Sequence, residues 1–205
     1  MTPIETMVII TCLLVLTVTL VPVLGTPRLK NALGCVNQLK RVGNAFAVWE
    51  TDHNGHYPVE VSAADGGAME DALAGRAEAV FLVMSNELGN PKVLVCPAQR
   101  AGLPAATFHS KFTVRNVSYF VAANVHPGNP AGILAGDDNF EILGKRIKSG
   151  RLEIYSNTPV TWAPGRHKFY GNIALADGSV AGVNDSSLDT VLCPTNTTPR
   201  LLAIP

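Results

Sequence analysis

Met7-Val-Ile-Ile-Thr-Cys-Leu-Leu-Val-Leu-Thr-Val-Thr-Leu-Val-Pro-Val-Leu24 is the stretch that decides the architecture of this chain. It carries no ionisable group except the Cys12 thiol. Its length approaches the about 20 residues that a helix needs to span a hydrocarbon core. Just before it stands Glu5, the only charged side chain in the first 27 residues. A carboxylate at the centre of a membrane helix costs about 2.5–3.5 kcal/mol, and less near an end, so an acid inside such a run is a functional hypothesis by default. The plain alternative is an anchor whose acid sits near the lipid interface.

The flanks sharpen the question. Positive residues normally mark the cytoplasmic side of a membrane helix. Here the N-terminal side has none, while Arg28, Lys30, Lys40 and Arg41 all follow the apolar run. With the soluble part outside, the expected basic flank is missing, and a short basic leader removed in processing accounts for it, leaving Met1 as the mature first residue. A secretory signal peptide fits less well, because the helical pattern continues into the soluble part with no small-residue cleavage site.

Downstream, Pro22, Gly25 and Pro27 fall together, and proline inside a helix removes a backbone bond at a cost of about 3 kcal/mol. Residues 16–27 are therefore the expected break, which divides the chain into an apolar segment (1–27) and a globular head (28–205). A second helical stretch, 28–53, places Ala32, Cys35, Leu39, Val42, Phe46 and Trp49 at steps of three and four, one apolar stripe, widened by Leu29, Leu33 and Val36. Asn54-Gly55 ends it and Pro58 prevents resumption. A shorter helix is expected over 69–88. Strands are expected at 93–96, 117–123, 152–161, 172–176 and 179–183, with Asp177-Gly178 as a two-residue hairpin turn. Helix first and antiparallel strands afterwards predicts an α+β fold, with the long helix lying across the sheet.

Composition sets the outer limits. The 205 residues allow one apolar segment and one domain of roughly 150 residues. Sixteen basic and 16 acidic residues argue against nucleic acid as a required partner. Among the cysteines, Cys12 lies in the apolar run, so Cys35, Cys96 and Cys193 remain for an exported head, where oxidation is permitted. No C-x-x-C occurs, which removes the usual zinc-finger and haem-attachment patterns. No nucleophile elbow, phosphate loop or H-E-x-x-H is present, so the chain does not read as an enzyme. Cys35 or Cys96 with His109 makes a dyad only on paper.

Several motifs resemble the type IV pilin and type II secretion pseudopilin family. Met1-Thr2-Pro3-Ile4-Glu5 is similar to the start of a mature pilin, which has an N-methylated first residue and Glu at the fifth position. Cys35-Val-Asn-Gln-Leu-Lys-Arg-Val-Gly43, continuing to Tyr57-Pro58, resembles the C-x-N-N-L-K-Q-I-G…Y-P stretch of bacterial prepilin-type proteins. Cys96-Pro97, Gly136-Asp137-Asp138-Asn139 and His167 followed by Asp177-Gly178 resemble its C-P, G-D-R-N and H-x9-D-G signatures, the last naming one branch. Departures include Met1 for Phe, Pro3 for Leu and Asp138 for Arg.

The resemblance implies a type IV pilin-like fold and a structural subunit that polymerises with copies of itself into a pilus-like filament after prepilin peptidase acts. A secretion-system pseudopilin, or a monomeric membrane-anchored binding domain, is the alternative. The implied partners are the inner membrane, which holds the precursor pool, and the pilus or secretion assembly machinery. Glu5 then pairs with the N-terminal amine at Met1 of a neighbour, and the assembled product is extracellular, or periplasmic for a pseudopilus.

Within the head, Cys35–Cys96 is the expected disulfide, with Cys96–Cys193 competing. No cofactor is expected. His167 with Asp177 offers too few ligands for a metal, and Asp137, Asp138 and Asn139 form a weak calcium candidate without EF-hand spacing.

Overall fold

Cys35, Leu39, Val42, Phe46 and Trp49 are all buried along one side of a single helix, and the head is built on that stripe. The computed structural model describes residues 2–24, 27–99, 104–109, 112–195 and 198–205, with side chains described except at 20–32. Helix α1 (Pro3–Leu24) is followed by α2 (Pro27–Asp52). Short helices α3 (Met69–Leu73), α4 (Ala77–Val83) and α5 (Ser85–Leu88) come next. The strands are β1 (Tyr119–Ala122), β2 (Ile133–Asp137), β3 (Phe140–Ile142), β4 (Lys145–Arg146), β5 (Gly150–Ile154), β6 (Val160–Trp162), β7 (Tyr170–Leu175) and β8 (Val180–Asn184). Helix α6 (Asp185–Leu192) and strand β9 (Arg200–Ile204) close the chain.

Six strands form one antiparallel sheet in the order β5-β9-β1-β2-β7-β8, and β4-β3-β6 form a smaller one. Helix α2 packs on β7, β2 and β8, so the long helix lies on the sheet and the fold is α+β. Phe120 of β1, Phe140 of β3 and Trp162 of β6 stack edge to face between the two sheets. Helix α6 covers the β6 edge: its Asp189 and Asp185 carboxylates accept from Val160 N at 3.0 Å and Trp162 N at 2.6 Å. Edge donors that face solvent invite pairing with other chains, and these two are capped.

The end of α2 follows its sequence. Asn54 takes φ 56° and Gly55 φ 79°, and Gly55 N donates to Glu50 O at 3.0 Å, the six-to-one bond of a Schellman motif. Leu33 is 54% exposed, so it does not widen the stripe as expected.

Other expectations are corrected. The 69–88 helix is three short ones, broken at Gly75-Arg76 and at Met84. Residues 93–96 are not a strand; Asn90 Oδ1 accepts from Lys92 N at 3.0 Å and starts the 3-10 turn Pro91–Leu94. The 152–161 strand is two strands, β5 and β6, in different sheets. Asp177-Gly178 is not a two-residue turn. Gly178 N donates to Leu175 O at 3.0 Å and Leu175 N to Ser179 O at 2.9 Å, with φ +80° at Gly178 alone. That is a three-residue connection, a type I turn closed by a left-handed glycine.

The expected break at 16–27 is narrowed: α1 is helical through Leu24 with Pro22 inside it, and α2 starts at Pro27. Gly25 and Met1 lie outside the described residues. Among the described residues no helix is long and apolar enough to cross a membrane. The side chains described in α1 end at Thr19, which gives about 26 Å of helix at 1.5 Å per residue.

Candidate functional site

The polar centre of the head sits where α2 meets the sheet. Cys35 faces inward from α2 with no exposure. A side chain at Gly34 would come within 2.9 Å of the Pro97 ring, so glycine there lets the helix lie against the Cys96-Pro97 turn. Cys96 is held from the other side, its N–H donating to Ser118 Oγ at 3.1 Å. Cys35 and Cys96 are joined in a disulfide with Cα atoms 5.4 Å apart, within the usual range of about 4.4–6.8 Å. Cys193 is a buried free thiol that donates to Thr158 O at 3.3 Å, so the competing pairing is not formed.

Two further residues close on this pair. His167 Nε2 lies 3.4 Å from Cys35 Sγ, 3.2 Å from Cys96 Sγ and 3.7 Å from Asp137 Oδ2. Asp137 Oδ1 lies 3.9 Å from Cys35 Sγ. Asp137, fully buried at the end of β2, is oriented by β7: Oδ2 accepts from Asn172 N at 2.9 Å and Asn172 Nδ2 at 3.0 Å. Tyr119 OH donates to Gln38 Oε1 at 2.7 Å and lies 3.6 Å from Cys35 Sγ.

Arg166 closes the outer side. Its Nη1 donates to Ser118 O at 2.9 Å and lies 3.4 Å from Asp137 Oδ1, while Nη2 donates to Gln99 Oε1 at 2.8 Å and sits 2.5 Å from Asp138 Oδ1. Burial pushes Asp138 up to about 6, against the pull of Arg166. Burial also lowers His167, although Asp137 opposes it, and raises Tyr119 well above its ordinary value.

The residues expected as sites are therefore distributed unexpectedly. His167 and Asp177 are separated by the length of β7, roughly 20 Å at 3.3 Å per residue, and the acid beside His167 is Asp137. Asp177 is exposed and accepts from Ser179 N at 2.8 Å in its turn. The histidine near the cysteines is His167 rather than His109. Asp137 and Asp138 both face Arg166, and Asn139 is buried in the head, so the three do not present an oxygen cage for calcium.

Glu5 is exposed and makes a reciprocal cap. Its Oε2 accepts from Thr2 N at 2.9 Å, and its N–H approaches Thr2 Oγ1 at 3.4 Å. Thr2-Pro3-Ile4-Glu5 is a capping-box pattern with proline at the first helical position. Comparison with protein-family models, with curated proteins and with solved structures finds no match.

Proposed function

We propose that this chain is a pilin: a structural subunit of type IV pilin-like architecture that polymerises through α1 into an extracellular filament after prepilin processing. One observation carries the reading. Every described residue of α1 is exposed, including Ile4 at 75%, Met7 at 72% and Val18 at 71%. A helix that is apolar on all sides belongs in a buried setting, and so large an uncovered apolar surface marks an interaction site. Lipid covers it in the precursor pool of the inner membrane, and neighbouring α1 helices cover it in the polymer, an open head-to-tail assembly. The work of the molecule is then assembly rather than catalysis, with the prepilin peptidase and the assembly machinery as partners. A short periplasmic pseudopilus uses the same design and is the alternative outcome.

Electron microscopy of wild-type and deletion strains tests the proposal. Filaments on wild-type cells, lost on deletion and labelled by antibody to the head, are expected. Monodisperse, membrane-bound monomer with no filament or pseudopilus in cells overproducing the chain would overturn it.

A further inference from the structure

We propose that in its dithiol form the head binds one zinc ion, with Cys35 and Cys96 thiolates, the His167 imidazole and the Asp137 carboxylate as its four ligands. The four ligand atoms already lie within 4.8 Å of one another. A tetrahedral zinc has bonds of about 2.3 Å to sulfur and 2.0–2.2 Å to nitrogen or oxygen, which puts neighbouring ligand atoms about 3.3–3.8 Å apart. His167 Nε2 lies 3.4 and 3.2 Å from the two sulfurs and 3.7 Å from Asp137 Oδ2, and Asp137 Oδ1 lies 3.9 Å from Cys35 Sγ, each inside that range or within about 0.1 Å of it. The sulfur–sulfur edge opens when the disulfide is reduced.

The donor set selects the ion. Two sulfurs, one nitrogen and one oxygen in a tetrahedral arrangement suit zinc rather than the hard, six-to-eight-oxygen cations. The outer partners that a metal site needs are in place: Asn172 fixes Asp137 through two hydrogen bonds, and Tyr119 OH stands 3.6 Å from Cys35 Sγ. Two thiolates and one carboxylate around a divalent ion leave one negative charge, and Arg166, 3.4 Å from Asp137 and shared with Asp138, offsets part of it. Cys35, Cys96 and Asp137 are fully buried and the His167 side chain is 7% exposed, so four protein ligands complete the shell, as in structural zinc sites.

Binding needs no electron transfer: zinc displaces the two thiol protons, which leave to solvent. The disulfide has no thiolate to offer, so the two states exclude one another. Passing from disulfide to dithiol takes two electrons and two protons from an external dithiol, which is itself oxidised to a disulfide. Both states tie α2 to the Cys96-Pro97 turn, one covalently and one through the ion. The inference does not depend on filament formation.

The test uses the full chain in detergent, titrated with Co2+ as the spectroscopic probe and then with Zn2+. The chain reduced with a phosphine should take up one Co2+, with the intense visible bands of a tetrahedral site and sulfur-to-cobalt charge transfer, and Zn2+ should displace it. The oxidised chain, which keeps the Cys12 and Cys193 thiols, should show neither band. His167→Gln, which leaves the disulfide possible, should weaken binding at least about 100-fold, beyond the 10–100-fold cost of losing an outer partner. His126→Gln, on the exposed Glu60 pair, should bind as wild type. No tetrahedral spectrum from the reduced wild type, equal binding by the oxidised chain, or wild-type affinity in His167→Gln would each overturn the proposal. The oxidised–reduced comparison needs no variant and stands if His167→Gln does not fold.

Discussion

Arg166 Nη2 stands 2.5 Å from Asp138 Oδ1, and the same guanidinium spans Ser118, Gln99 and Asp137 on the outer side of the cysteine pair. With 9% exposure at Arg166 and none at Asp137, this is a buried ionic group whose worth lies in being complete. Removing one partner of such a group leaves uncompensated buried charge, which costs about 3–5 kcal/mol. Arg166→Ala should therefore lower the unfolding free energy from urea titration by an amount in that range, moving the midpoint down accordingly. Arg151→Ala, whose pair with Glu153 is exposed, should cost at most about 1 kcal/mol. Equal midpoints for the two variants would refute the ranking.

The Cys35–Cys96 bridge closes a loop with a sequence separation of 61. In the chain-entropy account that constraint is worth about 4 kcal/mol. Metal-free reduction, or Cys35→Ser, should lower stability by about that amount while leaving the free Cys193 unchanged. Non-reducing peptide mapping should recover a Cys35–Cys96 peptide; a Cys96–Cys193 peptide would contradict the pairing.

Glu5 offers a way to separate capping from assembly. In Glu5→Gln the side-chain carbonyl still accepts from Thr2 N, so α1 should remain capped and helical by circular dichroism. The charge for a neighbour's amine is lost, so filament yield should fall several-fold, and Glu5→Leu should fall at least as far. A normal yield from Glu5→Gln would show that Glu5 acts only as a cap, which is worth about 1 kcal/mol.

A pH-dependent contribution sits at the 3-10 turn Ala63–Asp65. Glu70 accepts from Ala63 N and Ser62 Oγ, both at 2.8 Å, and these bonds, led by the Ala63 amide, hold its carboxyl below 4.5. Because the folded value is depressed, the ionised group stabilises fully above 4.5, and the effect fades as pH falls through the folded value. The Tm difference between wild type and Glu70→Gln should thus be constant near neutrality and vanish in acid. A difference that grew with acidification would have the wrong sign.

The parts of this fold that were legible in the sequence are those set by near neighbours. Cys35, Leu39, Val42, Phe46 and Trp49 announce α2 by spacing alone, and Asn54-Gly55 announces its end. Strands β7 and β8 were visible because a glycine turn joins them. By contrast, β9 was not among the expected strands, because its meaning comes from pairing with β5 and β1, far away in sequence. Val93–Cys96 has strand composition, but the Asn90 side chain overrides it locally. The cysteine cluster was half legible. The motif residues Cys35, Cys96, Asp137 and His167 were each noticed, yet their meeting depends on the β2–β7 register, in which Gly136 opposes Ile173 and brings Asp137 to Asn172. No spacing in the sequence encodes that register.

Strand β7 is pinned at both ends, and this turns the nine residues between His167 and Asp177 into a measure of length. At one end His167 must reach the two sulfurs, while in the middle Asn172 must meet Asp137. At the other end Gly178 must supply the left-handed corner that returns the chain as β8. Neighbours on both sides, β2 and β8, hold the strand so that it cannot slide to absorb an error. Losing or gaining one residue inside the interval inverts which side chains face inward from that point on. The interval can therefore change its letters far more readily than its count.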